Sequence, residues 1–175
     1  MIYKTIISVD DLKKNLNNKD FLIFDSRCDI KDSGYGIDSY TEGHIENSIF
    51  IDVDTDLASE KRPGTGRHPL PDVSSFSEKL SHWGMSNNKQ VVVYDDAGGA
   101  FAGRLWWMLK WLGHEAVAVL DGGLNSWVKD GNKLVTTPTI FEKSHFEANV
   151  QENMIATVKD VEEAQFKMNT ILLDA

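Results

Sequence analysis

An α/β fold with a central, mostly parallel sheet flanked by helices is the architecture this sequence predicts, and three observations carry it. Short apolar runs at 21–24, 48–51, 91–94 and 116–120 have the length and continuity of strands buried on both faces. Segments of helical period lie between them, opened by capping residues or closed by glycines. Strands that alternate with helices require right-handed crossovers, and so pair in parallel.

Each element has its own reason. Ser8 followed by Asp11 forms a cap, and Leu12 and Leu16 continue it at helical spacing. Phe21-Leu22-Ile23-Phe24 is a buried strand that ends in Asp25-Ser26-Arg27, and Ser48-Ile49-Phe50-Ile51 is a second that ends at Asp52. Ser75 to Glu78 repeats the cap, with Phe76, Leu80 and Trp83 on one face and Gly84 as terminator. Val91-Val92-Val93-Tyr94 is the clearest strand and runs into Asp95-Asp96-Ala97-Gly98-Gly99. The next helix opens near Phe101, aligns Leu105, Met108, Leu109 and Leu112, and stops at Gly113. Ala116 to Leu120 is the fourth strand; Asp121-Gly122-Gly123 then leads to a short helix around Ser126-Trp127-Val128, closed by Gly131.

The chain has 175 residues, enough for one domain of about 100–150 residues and a remainder. A net charge of −9 argues against nucleic acid, whose phosphates need a basic face. No apolar run approaches the roughly 20 residues that span a bilayer, and the start MIYKTIISVDDLKK lacks the plan of a secretory signal. The one cysteine, Cys28, excludes an intrachain disulfide and points to a reducing, cytoplasmic setting. Nothing calls for a metal or an organic cofactor.

The remainder has a pattern of its own. Residues 139–175 carry seven acids and three bases, a denser surplus than the rest. Shifted by 149 positions, Ser8-Val9-Asp10-Asp11-Leu12 lies over Thr157-Val158-Lys159-Asp160-Val161, and Leu22-Ile23-Phe24-Asp25 lies over Ile171-Leu172-Leu173-Asp174 without a gap. A cap, a helix-length segment and an apolar strand ending in Asp occur twice in one register, which reads as a tandem duplication whose second copy stops after its first strand. The expected division is 1–138 as the first domain, 139–153 as a connector packed on it through Phe141 and Phe146, and 154–175 as the start of a second domain.

Ligands of open α/β sheets bind at the carboxyl ends of the strands. The glycine-containing loop after Tyr94, next to a helix N-terminus, has the form of an anion cradle. Two carboxylates stand at its head, however; Asp95 or Asp96 capping the helix would occupy the place of an anion. A remote alternative is also visible. Asp52-Val53-Asp54-Thr55 after one strand and Asp95-Asp96 after another resemble the paired carboxylates of Mg-dependent haloacid-dehalogenase-type phosphatases. That pattern lacks its Ser or Thr strand end and its lysine helix.

Taken together, five segments resemble one family. Leu22 to Arg27 with Tyr40-Thr41-Glu42-Gly43-His44-Ile45 is similar to the N-terminal motif of rhodanese-like domains, and Asp121 to Trp127 with Gly131 to the C-terminal one. Gly66-Arg67-His68-Pro69-Leu70-Pro71 and Phe101-Ala102-Gly103-Arg104-Leu105-Trp106-Trp107 resemble the first domain of two-domain thiosulfate/3-mercaptopyruvate sulfurtransferases. The resemblance implies a rhodanese-like fold in tandem, a small anionic sulfur donor at an interdomain cleft, and the chain's own C-terminal rhodanese domain as partner. It also implies that the nucleophilic cysteine, which carries sulfane sulfur as a persulfide, lies in the second domain; the corresponding position here is Asp95. The chain 1–175 is therefore expected to be inactive alone. The contrasting reading is a rhodanese-like binding or regulatory module without a catalytic cysteine.

The remaining candidates divide as follows. Cys28 lies among Asp25, Asp29 and Asp32, which oppose a thiolate, and reads as buried or incidental. His44 reads as a hydrogen-bonded structural residue, and Trp106, Trp107 and Trp111 as packing. Arg27 either braces loops with its guanidinium fork or contributes to the cleft. His68 and Asp54 either brace the polar loop 54–72 or, as the resemblance implies for mercaptopyruvate-type members, face the cleft and assist proton transfer. The groups that attract an anionic donor are expected mostly on the second domain.

Overall fold

In the computed structural model, which describes residues 2–173, five parallel strands form one sheet in the order β1-β5-β4-β2-β3. The strands are β1 (Ile6–Ile7), β2 (Phe21–Asp25), β3 (Ser48–Phe50), β4 (Gln90–Tyr94) and β5 (Val117–Leu120). The helices are α1 (Val9–Asn15), α2 (Tyr35–Glu42), α3 (Val73–His82), α4 (Ala102–Trp111), α5 (Gly123–Lys129) and α6 (Val158–Ala164). The expected sheet is thus wholly parallel.

Alternation along the strands feeds two cores. Leu22, Phe24, Val91 and Val93 point to one face and pack with Phe76 and Leu80 of α3 and Leu105, Met108 and Leu109 of α4. Ile23, Val92 and Ala118 point to the other and pack with Leu12 of α1 and Leu124 and Trp127 of α5. A strand that serves both cores is apolar at every position, the cause of the continuous runs in the sequence.

Two elements carry no sequence signal. β1 has only two residues at the sheet edge, held by Val119 N–H to Thr5 O and Asp121 N–H to Ile7 O at 2.9 Å each. α2 opens at Gly34 with no side-chain cap. It lies so close to the loop after β2 that a Cβ on Gly36 would stand 2.3 Å from Arg27 O. One cap is displaced from expectation: α3 is capped by Asp72, whose Oδ1 accepts the Ser75 amide at 2.9 Å, so Ser75 lies inside the helix.

Residues 141–151, expected as part of a connector, pack against the ends of α3 and α4. Phe146 is buried, with its amide on Ser81 Oγ at 3.0 Å, and the Asn149 and Gln151 amides bond to Leu112 O and Trp111 O, which leaves room at Gly113 only for a glycine. Beyond it, α6 repeats α1 at an offset of 149 residues: both span seven residues, capped by Ser8 on the Asp11 amide and by Thr157 on the Asp160 amide. Residues 171–173 form no strand, and none of the described residues pairs with them; Asp174 lies outside the described residues. Among the described residues no helix is long and apolar enough to cross a membrane.

Candidate functional site

The carboxyl ends of β2, β3, β4 and β5 open on one face, where Asp95 follows β4 directly and is 1% exposed. Its Oδ1 accepts the amides of Ala97 at 3.0 Å and Gly99 at 2.8 Å. Its Oδ2 accepts those of Phe101 at 2.8 Å and Ala102 at 2.9 Å. Positive φ values at Gly98 (70°) and Gly99 (92°) turn the loop so that its N–H groups converge. From behind, Leu124 N–H donates to Asp95 O at 2.8 Å, an approach that Gly123 permits because a Cβ there would stand 2.2 Å from the same oxygen. The loop and the N-terminus of α4 form an anion cradle, and the protein's own carboxylate fills it. Asp96 is engaged separately, by the hydroxyl of Tyr35.

Arg27 is turned inward. It is 5% exposed, grips the buried Asp25 carboxylate through Nε and through Nη2 at 2.7 Å, and donates from Nη2 to Gly43 O at 2.8 Å. Burial, the largest single influence, opposes its charge, but the Asp25 hydrogen bonds together with the charges of Asp25, Tyr94 and Asp96 outweigh it and hold the guanidinium above its ordinary value. Tyr94 donates its hydroxyl to Asp25 Oδ2 at 2.8 Å, and burial, with the Asp25 charge, pushes that phenol well up. Of the two readings of Arg27, this geometry serves the brace. His44 is fully buried, with Nδ1 2.8 Å from Tyr40 O, Nε2 3.1 Å from Thr137 O, and its ring stacked on Tyr40 at 3.8 Å.

His68 and Asp54 are brought together across the polar loop, Nε2 to Oδ1 at 2.6 Å. Arg104 on α4 fixes that loop by donating to Leu57 O at 2.7 Å and His68 O at 3.0 Å, and Asp52 Oδ1 holds the amides of Asp54 and Thr55. Both partners stay accessible, at 29% for the His68 side chain and 50% for that of Asp54, and line a pocket of about 280 Å³ with Cys28, Val53 and Phe101. Burial pushes the Cys28 thiol up, and the charges of Asp54, Asp52 and Asp29 push it further. The lining also includes Arg67, from the Gly66–Pro71 motif, and Lys61, which no sequence motif singled out. Among the described residues no three His, Cys, Asp or Glu side chains are placed to hold a metal ion; Asp95 and Asp52, which the phosphatase pattern needs free, are engaged by backbone amides.

Comparison with known proteins agrees with this fold. Residues 8–130 match the model of the rhodanese-like domain. The chain is 36% identical over 172 residues to a probable 3-mercaptopyruvate sulfurtransferase of Pseudomonas aeruginosa, covering 97% of this chain and 61% of that protein. It is 34% identical over 126 residues to the thiosulfate sulfurtransferase of Rattus norvegicus, covering 70% of this chain and 41% of the relative. Among solved structures, SseA of Escherichia coli, described as a 3-mercaptopyruvate sulfotransferase, superposes with a TM-score of 0.80 at 27% identity, over 93% of this chain and 63% of its own. The 3-mercaptopyruvate sulfurtransferase of Leishmania major gives 0.74 at 30% identity, over 85% and 42%. The chain thus spans less than two thirds of the length of each of these four relatives.

Proposed function

The chain belongs to the rhodanese-like domain family, and from that premise we propose that it is the noncatalytic N-terminal half of a sulfurtransferase whose thiol nucleophile stands on a second domain. The observation that carries the reading is the Asp95 carboxylate, which occupies with four backbone hydrogen bonds the cradle in which this family holds a persulfide. A carboxylate has no sulfur to exchange, and its charge repels the anion that the cradle otherwise stabilises. In the catalytic domain, the thiolate attacks the outer sulfur of thiosulfate, or the sulfur of 3-mercaptopyruvate. The bond from that sulfur to the donor breaks, and sulfite or pyruvate leaves. The persulfide then yields its terminal sulfur to a nucleophilic acceptor such as cyanide or a thiol.

This half contributes walls and orientation. With Nε2–H donated to Asp54, the His68 ring presents Nδ1 as a proton acceptor, and Asp54 steadies the charge that forms on the imidazole. His68 and Asp54 accordingly face the donor in the cleft, while Arg27 stiffens the strand ends behind them. The connector, packed through Phe146, and α6 lead the chain into the second domain.

The test compares sulfur transfer from thiosulfate or 3-mercaptopyruvate to cyanide by chain 1–175 and by the protein continued through its own coding sequence. No turnover by 1–175 and turnover by the continued protein is the expected result. A coding sequence that ends soon after residue 175 would favour a rhodanese-like binding module instead.

A further inference from the structure

The amino ends of β2, β3 and β4 carry a pocket of their own, at the pole of the sheet opposite the carboxyl face. It encloses about 440 Å³, within the roughly 300–1,000 Å³ usual for ligand pockets. Leu16, Phe21 and Phe141 give it an apolar lining, and Lys19, Lys89 and Glu142 bring its charges. Ile140, also in the lining, is 94% exposed, so apolar surface stands open to water here. Among the described residues Lys19, Lys89 and Glu142 form no ion pair. Two ammonium groups against one carboxylate leave the pocket a net positive charge on a chain of −9.

The fold builds this convergence. Asn47 holds a left-handed backbone, φ 65°, that few residues other than glycine adopt, and its Nδ2 donates to Leu16 O at 2.7 Å. The turn before β3 is thereby tied to the end of α1. Gly84, at φ 81°, lets the chain from the far side approach: a Cβ there would stand 3.1 Å from Phe141 Cβ and from Glu142 O. The C-termini of α1 and α3 would by themselves favour a cation at this pole. Their last carbonyls are already taken, however. Asn15 O accepts the Asn18 amide at 2.9 Å, Leu80 O that of Met85 at 3.0 Å, and Ser81 O that of Gly84 at 3.1 Å. Lys89 Nζ donates to Lys19 O, which sets its ammonium beside the turn that carries Lys19. The two lysines are thus the polar groups left to answer a ligand.

We propose that this pocket seats a small monocarboxylate with an apolar body, the body against Leu16, Phe21 and Phe141 and the carboxylate between Lys19 and Lys89. A neutral apolar molecule would leave the ammonium groups unanswered, and a cation would meet them as like charges. The site lies apart from the carboxyl-face pockets and does not rest on the sulfurtransferase reading. Among the described residues no hydrogen bond involves 140–143, which form one wall; the Ser144 amide on Ser81 O at 2.9 Å is the next fixed point. That wall is free to close on a ligand, and Ile140 is the side chain that would cover it.

Amide chemical shifts of chain 1–175, titrated at constant ionic strength with sodium phenylacetate, benzyl alcohol and phenethylammonium chloride in turn, test the seat. The expected result is saturable movement with phenylacetate at Asn17, Lys19, Asn47, Lys89 and Phe141. Binding weakens about tenfold or more in Lys19→Gln/Lys89→Gln, which removes the charged donors. It is unaltered in Lys159→Gln/Lys167→Gln, which makes the same charge change on and beyond α6. Benzyl alcohol binding as tightly as phenylacetate would show an apolar pocket without a carboxylate seat, and overturns the proposal. Tighter binding of phenethylammonium would assign the pocket to Glu142 and overturns it equally. So does movement that fails to saturate, that centres on the carboxyl face, or that weakens as much in the α6 variant. Unchanged amides outside the pocket show that each variant is folded.

Discussion

Asp95 and Phe101 are joined by a 2.8 Å hydrogen bond from the Phe101 amide to Oδ2, the link that closes the loop after β4 onto its own first side chain. Three more amides converge on the same carboxylate, so the site is finished without a ligand. A loop with the form of an anion cradle is here a structural knot.

Asp95→Ala therefore costs stability. Removing an acceptor of four hydrogen bonds from a buried position leaves several amides unpaired, and a loss of about 3–5 kcal/mol is expected. Denaturant unfolding followed by tryptophan fluorescence measures it; a change under about 1 kcal/mol would show that water or a relaxed loop replaces the carboxylate.

Asp95→Cys converts the knot into a thiol site. The same amides and the N-terminus of α4 favour the thiolate, so the new cysteine titrates below the usual thiol value of about 8.5. At neutral pH it should alkylate faster than Cys28 in the same molecule, as peptide mass mapping after brief iodoacetamide treatment would show. Equal rates would mean that the cradle does not survive the substitution.

Cys28 itself should be sluggish. Burial first, then Asp54, Asp52 and Asp29, disfavour its thiolate, so its alkylation rate rises only above the pH at which an ordinary thiol ionises. Asp54→Asn removes one of those charges and moves the inflection down. An inflection in wild type at or below the ordinary value would contradict this environment.

His68→Ala, placed in the protein continued through its second domain, should slow sulfur transfer several-fold while leaving the melting temperature nearly unaltered. Half-exposed ion pairs such as His68–Asp54 contribute only about 0–1 kcal/mol, so little stability depends on it. Unchanged turnover would reduce the pair to a loop brace.

Much of this was legible in the residues. β2 and β4 announce themselves because they are buried on both faces, and the carboxylate at the head of the loop after Tyr94 was readable as a cradle already filled. β1 was not, since two residues at a sheet edge make no pattern. α2 was hidden because Gly34 supplies no cap and glycine recurs at Gly36, where only the close approach of Arg27 O explains it. The α3 cap was displaced because Ser75 with Glu78 mimics the motif that Asp72 serves. The place of Lys61 in the pocket beside His68 was hidden for a different reason: the bonds from Ser59 and Arg104 that bring the loop over Cys28 and Phe101 are long-range contacts.

The central claim is that no residue of this chain carries sulfur. Intact-mass measurement of chain 1–175 after incubation with excess thiosulfate tests it most directly. An unchanged mass, with no thiocyanate formed on adding cyanide, is the predicted result. A gain of one sulfur atom that maps to Cys28 and is discharged by cyanide would contradict it.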